Sequence, residues 1–265
     1  MKKSIKKENS NILKKIIQML DDFFNDDTTY YAASLSFFTI FAILPILALI
    51  ISTISNFPEY NKYLEIFTSY IFDMLNPTHS EDIIQSLKDY ISNSNKLGFI
   101  GIIYMLFISI MFFKDYEYIV NKIHKTRRKS IHFSIIFYSF YLLILTVLLI
   151  ALNVITTFYN HNILKDIFTF LFAWAIFYSL FKLSVNRQIN YKAALISSLL
   201  TLVILSITKD LFVYYVLYNK TYTTIYGSLA TLLFTFLWIY VSWIIYLYGI
   251  KMCHKLNMKE KFKKI

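Results

Sequence analysis

A single cysteine, Cys253, in 265 residues leaves no intramolecular disulfide to form, so the fold depends on no oxidising compartment. Only four glycines are present, and none sits in a glycine-rich phosphate loop or a nucleophile elbow. Charge is also scarce: 16% of residues are Asp, Glu, Lys or Arg, against about 25% in an ordinary soluble domain. Acids are the scarcer sign, 16 against 27 bases, for a net charge of +11. What fills the space is apolar, with 57% hydrophobic and 19% aromatic residues. Such a chain needs a solvent other than water. The balance excludes a disordered chain, a disulfide-stapled module and a soluble nucleic-acid binder, and no nucleic-acid partner is expected.

Apolar runs of membrane length, roughly 17–25 residues, cover Tyr31 to Phe57, Leu97 to Phe113, His132 to Thr157, Ile163 to Phe181, Ala193 to Leu217 and Ile225 to Ile250. The basic residues between them alternate in density. The N-terminal segment holds six Lys, Lys114 to Ile131 six Lys and Arg, Lys182 to Lys192 three, and the C-terminal tail six. These four segments carry 21 of the 27 bases, and the other side carries six. By the positive-inside rule both termini are cytoplasmic and the number of spans is even. The expectation is an all-α polytopic membrane protein with six transmembrane helices. Residues 1–30 form a cytoplasmic N-terminal segment, 31–250 the transmembrane domain and 251–265 a basic cytoplasmic tail. No signal peptide is read at the N-terminus.

Two connections have periodicity of their own. Ile12, Leu13, Ile16, Ile17, Leu20, Phe23 and Phe24 recur at helical spacing among lysines, which predicts an amphipathic helix before the first span, on the inner leaflet or against the bundle. In the outer connection, 58–96, two apolar stripes flank Asn76 and Pro77, and Thr78 with Glu81 makes a capping box. Two short amphipathic helices are predicted there, with a net charge of −3 from three Lys and six acids. They cap the bundle, lie on the outer leaflet or receive an envelope protein partner.

Pro45 interrupts the first span and predicts a kink near Phe41 to Pro45. Upstream, Ala32, Ala33, Ser34 and Ser36 form a small-residue patch, matched by Gly227, Ser228, Ala230 and Thr231 at the start of the sixth span. Small residues let backbones approach closely in lipid. Both patches are expected to face protein. Trp174 and Trp238 lie deep in their spans and are expected to pack against neighbouring helices.

Tyr31-Ala-Ala-Ser-Leu-Ser-Phe-Phe-Thr-Ile-Phe-Ala-Ile-Leu-Pro45 resembles the first-span signature of the YihY/BrkB family of bacterial inner-membrane proteins. Tyr226-Gly-Ser-Leu-Ala-Thr-Leu-Leu-Phe-Thr-Phe-Leu-Trp-Ile-Tyr240, ending at Tyr248-Gly249, is similar to that family's last span, and Asn186-Arg187 with Tyr191-Lys-Ala-Ala194 to its fourth cytoplasmic connection. Ser34, Ser36 and Ser197 stand where smaller residues are usual, and Val185 where a proline is. The resemblance implies a multi-pass inner-membrane location and, for some members, transport of lipid-related or other anionic substrates. It also brings a former ribonuclease BN label.

That label needs carboxylates or histidines converging on a cation. Asp21, Asp22, Asp26 and Asp27 are the one dense acidic cluster, and a solvated helix end explains them better than a metal site. His79, His124, His132, His161 and His254 are scattered without ligand spacing. Neither enzymatic activity, a metal nor any other cofactor is expected. For a transported or bound amphiphile the candidate contacts are Lys209 and Asp210, which interrupt the fifth span, Asp115, Glu117 and Asn121 beyond the second, and Arg187 as a phosphate ligand. Membrane lipids are the expected partners.

Overall fold

A computed structural model describes residues 27–55, 85, 89, 99–130, 132–134, 136–138, 140–141, 144, 147–148, 162–218 and 229–262, with side-chain surroundings left aside in 43–55, 99–106, 162–165 and at a few helix ends. All regular structure among them is helical, with no strand. Five helices are defined: α1 Asp27–Ser55, α2 Phe99–Ile123, α3 Asn162–Leu183, α4 Tyr191–Tyr218 and α5 Leu229–Phe262. The described residues between 132 and 148 are helical too. The predicted helix before the first span, the acidic cluster other than Asp27, Gly227, Ser228 and the outer connection lie outside the described residues, apart from helical Gln85 and Asp89. Those two are joined by a 2.9 Å Nε2 to Oδ1 hydrogen bond one turn apart.

Long uninterrupted apolar sequences form these helices because a backbone without competing polar side chains satisfies itself internally. Three stretches, Asp166–Leu183, Tyr191–Val216 and Leu233–Lys259, are long and apolar enough to cross a membrane. At about 1.5 Å per residue even the shortest spans about 27 Å, close to the hydrocarbon thickness. Proline does not end α1, which continues through Pro45 to Ser55. Its missing N–H removes one internal bond without stopping the helix.

Helix α5 is the hub, packing against α4, α1 and α2, while α1 also packs on α2 and α3 on α4. The core gathers where these five meet: Ala32 and Leu35 of α1, Ile119 and Val120 of α2, Phe181 of α3, Ala193 and Ala194 of α4, and Leu247, Ile250 and Cys253 of α5. Gly249 sets the closest approach. A Cβ there would overlap Thr201 Oγ1 and lie 3.0 Å from Phe181 Cζ, so only glycine lets α3, α4 and α5 converge.

On the small-residue patches, Ala32, Ser36 and Ala230 are buried, whereas Ala33 on the next face of α1 is exposed. The helical turn explains the split, since adjacent residues point about 100° apart. Two of the serines that stand in for smaller residues satisfy their hydroxyls by bonding back into their own helix, Ser36 to Ala32 O and Ser197 to Ala193 O. Trp174 donates to Ser198 Oγ at 3.1 Å, and Trp238 packs 5.4 Å from the Phe212 ring, so both deep tryptophans lie against α4. Outward, Ile204, Ile207, Leu211, Tyr214 and Tyr218 form one exposed apolar stripe on α4. In water such a stripe is a liability, whereas in a bilayer it is the lipid face.

Candidate functional site at the basic end of the bundle

Polar side chains concentrate where α2 ends, α3 hands over to α4, and α5 passes alongside. Helix α2 closes with Lys125 at φ 53°. Thr126 N–H bonds Asn121 O at 2.9 Å and Lys125 N–H bonds Lys122 O at 3.1 Å, the paired bonds of a Schellman cap. This turn aims the 126–130 segment back across the helix.

Asn121 locks that segment in place. Its Nδ2 donates to Glu117 O (2.9 Å) and Ser184 O (3.1 Å), and its Oδ1 accepts Asn186 N–H (2.7 Å) and Thr126 Oγ1–H (2.9 Å). The amide is 1% exposed and makes every bond its chemistry allows. Every hydrogen-bonding position of Asn121 is thus taken by the protein itself, and the amide holds the 117, 126, 184 and 186 positions together. Asn186 Nδ2 ties to Arg127 O (3.0 Å), and Asn257 Oδ1 accepts Asn190 N–H (2.9 Å), fastening α5 to the same connection.

Of the other sequence candidates, Asp115 Oδ2 accepts Ser34 Oγ–H at 2.7 Å and joins α1 to α2. Glu117, one turn before Asn121, is 2% exposed. Its Oε1 accepts Lys129 N–H at 2.9 Å, and its second oxygen receives no hydrogen bond from a described residue. A crevice beside it is lined by Ile110, Phe113, Lys114, Arg128, Lys129 and Ser134. Arg187 is half-buried and lies close enough to His124 and His254 to oppose their protonation. The structure therefore gathers Asp115, Glu117, Asn121 and Arg187 at one end. Lys209 and Asp210 do not join them: they lie eighteen residues or more along α4 from Tyr191, about 27 Å away. They are adjacent in sequence, so their side chains diverge, and no ion pair links them.

Sequence reasoning missed two features here. Tyr116, Tyr246 and Ser184 form a buried hydroxyl chain, with Tyr116 Oη 2.6 Å from Tyr246 Oη and 3.1 Å from Ser184 Oγ. Their apolar surroundings hid it, because tyrosine reads as an aromatic belt residue. His124 and His254, apparently unrelated by spacing, meet edge to face at 5.2 Å between ring centroids. His124 is fully buried, and neither ring nitrogen has a hydrogen-bond partner among the described residues. Burial, reinforced by His254 and Arg187, holds its imidazole down to about 4. Among the described residues no three His, Cys, Asp or Glu side chains converge as metal ligands.

An all-helical bundle with outward apolar stripes and helices of membrane length belongs to the class of helical membrane proteins. Residues 19–264 match the family described as virulence factor BrkB, and the chain belongs to that family. It is 26% identical over 235 residues to the UPF0761 membrane protein of Mannheimia succiniciproducens, covering 83% of this chain and 82% of that protein. It is 24% identical over 263 residues to that of Pseudoalteromonas atlantica (91% and 87%) and 27% identical over 241 residues to that of Haemophilus influenzae (85% and 88%). No solved structure matches.

Proposed function

We propose that the chain is a six-span inner-membrane protein with both termini cytoplasmic that moves or positions an anionic, lipid-like envelope substrate. The observation that carries this reading is the crevice at the basic end. Lys114 and Arg128 line it, neither is ion-paired to a described carboxylate, and the neighbouring 132–148 segment turns Phe133, Ile136 and Phe140 outward. Cations without an ion pair among the described residues, beside an apolar outer face, fit a phosphate whose acyl chains stay in lipid. The seam between α1 and α5 serves this less well, being closed by Trp243 Nε1 donating to Thr39 Oγ1 at 2.9 Å. Pro45 and the small-residue patches then serve packing.

The test is lipid translocation in liposomes carrying the purified chain, with fluorescent phosphatidylglycerol and phosphatidylethanolamine as probes, both of which carry the phosphate that Lys114 and Arg128 would hold. Transport above protein-free liposomes, lowered by the Lys114→Gln, Arg128→Gln pair, is expected. No movement with any phospholipid leaves the scaffold alternative, in which 58–96 recruits an envelope protein and its deletion abolishes capture of that protein. The reading assigns no ribonuclease activity: RNA incubated with the nuclease-free protein and Mg²⁺ is expected to survive as in a mock preparation.

A further inference from the structure

We infer that the crevice at Glu117 holds the headgroup of a phospholipid bearing a primary amine, with the ammonium on Glu117 and the phosphate on Lys114 and Arg128. The carboxylate is the decisive feature. It is 2% exposed, donates nothing, and keeps one oxygen without a hydrogen bond from any described residue. The remaining oxygen belongs to a residue that lines the crevice, where a cation is a better partner for it than a second anion. A cation delivered by the ligand supplies that partner.

Size then separates the cations available. The crevice as a whole admits about 10 Å³, room for a single water-sized group, so the ammonium enters it and the phosphate stays at its mouth. A primary ammonium has that size and donates up to three hydrogen bonds, whereas a trimethylammonium is several times larger and donates none. Lys129 is not a competitor for the carboxylate. Its Nζ donates to Leu183 O at 2.9 Å and lies over the Phe133 and Phe137 rings at 5.4 and 4.9 Å. The phosphate falls to Lys114, one turn before Glu117, and to exposed Arg128, a planar donor suited to phosphate oxygens.

The acyl chains have a surface to follow. Phe133, Ile136, Phe140, Val147 and Leu148, all described helical residues, are exposed by 53, 70, 63, 65 and 48%, and Phe133 adjoins Ser134 of the crevice lining. A headgroup at Glu117 therefore continues into an apolar track, so the ligand is a membrane lipid and not a soluble amine phosphate. This site goes beyond the proposed transport. Binding needs a bilayer or micelle but no translocation, so loss of movement and loss of headgroup selectivity are separate results.

Native mass spectrometry of the full chain in mild detergent tests it, with phosphatidylethanolamine, phosphatidylcholine and phosphatidylglycerol matched in acyl chains. Phosphatidylethanolamine is expected to occupy the protein about tenfold more tightly than phosphatidylcholine, the value of one charge-assisted hydrogen bond. Glu117→Gln retains an acceptor for Lys129 N–H but loses the charge, and should bring the two lipids within about twofold. Lys114→Gln with Arg128→Gln should weaken phosphatidylethanolamine and phosphatidylglycerol alike. Equal retention of phosphatidylcholine, tightest binding of phosphatidylglycerol, or unchanged selectivity in Glu117→Gln would overturn the assignment. So would displacement of the lipid by an equal concentration of soluble phosphoethanolamine. If Glu117→Gln does not fold, the wild-type ranking of the three lipids decides alone.

Discussion

Helix α4 passes through two environments. Its first half buries Ala193, Ala194, Ser197, Ser198 and Thr201 against α3 and α5, and its second half exposes Ile207, Leu211, Tyr214 and Tyr218. Both halves are apolar helix. The difference lies in side-chain size: small residues mark the end where backbones converge, large ones the end that faces outward. In lipid, where apolar surface gains nothing by leaving its solvent, close packing and hydrogen bonds carry association instead. The basic end therefore carries the close backbone approach, while the far half of α4 meets α5 through rings, Phe212 against Phe234 and Trp238.

The largest expected effect comes from breaking that convergence. Gly249→Leu places atoms where Thr201 Oγ1 and Phe181 Cζ already stand, three helices at once. Folded, monodisperse protein is expected to be lost on detergent size-exclusion chromatography, while Leu211→Ala on the exposed half leaves the profile unchanged. Next in size is Asn121→Ala, which strands Ser184 O in the interior and removes the partner of Asn186 N–H nearer the surface. A loss of about 1–3 kcal/mol follows from the orphaned buried carbonyl, read as a lowered thermal midpoint. If Leu211→Ala costs as much, the contrast between the two ends fails.

Acid probes the same end more gently. His124 is held down to about 4 in the fold, against about 6.5 in an unfolded chain. Below the unfolded value the unfolded chain binds a proton that the folded one refuses. Stability is thus intact above pH 6.5 and falls as pH drops from there to about 4, by on the order of 3 kcal/mol. A thermal-midpoint series over that window should show the decline, and His124→Phe should flatten it.

The architecture was legible in the sequence wherever it depended on periodicity and composition. Apolar runs located both ends of α1, α3 and α4 and the starts of α2 and α5 to within about four residues, but α2 and α5 continue to Ile123 and Phe262, well past runs that stop at Phe113 and Ile250. Small residues marked Ala32, Ser36 and Ala230. Faces were less legible: Ala33 belongs to the same run as Ala32 yet points outward. Candidate residues were read by spacing along single helices, which placed Glu117 and Asn121 on one face but could not show what the amide bonds. Its true partners, Ser184 and Asn186, lie more than sixty residues away. The same blindness to long-range pairing separated His124 from His254. No local pattern encodes which helix ends meet, because that is fixed by packing across the whole bundle.

The smallest effect has the opposite sign, and it tests whether the basic end is optimised throughout. Lys125 occupies a left-handed position, φ 53°, at the cap of α2. Lysine there is strained by roughly 1 kcal/mol where glycine is not. The side chain is exposed, and the two cap bonds, Thr126 N–H to Asn121 O and Lys125 N–H to Lys122 O, are made by the backbone. Lys125→Gly therefore keeps every contact of the cap and relieves the strain, partly offset by the greater freedom of glycine in the unfolded chain. A rise of one or a few degrees in the thermal midpoint is expected. A fall would mean that the lysine charge, set beside His254 and opposing its protonation, contributes more to holding α2 against α5 than the backbone geometry costs.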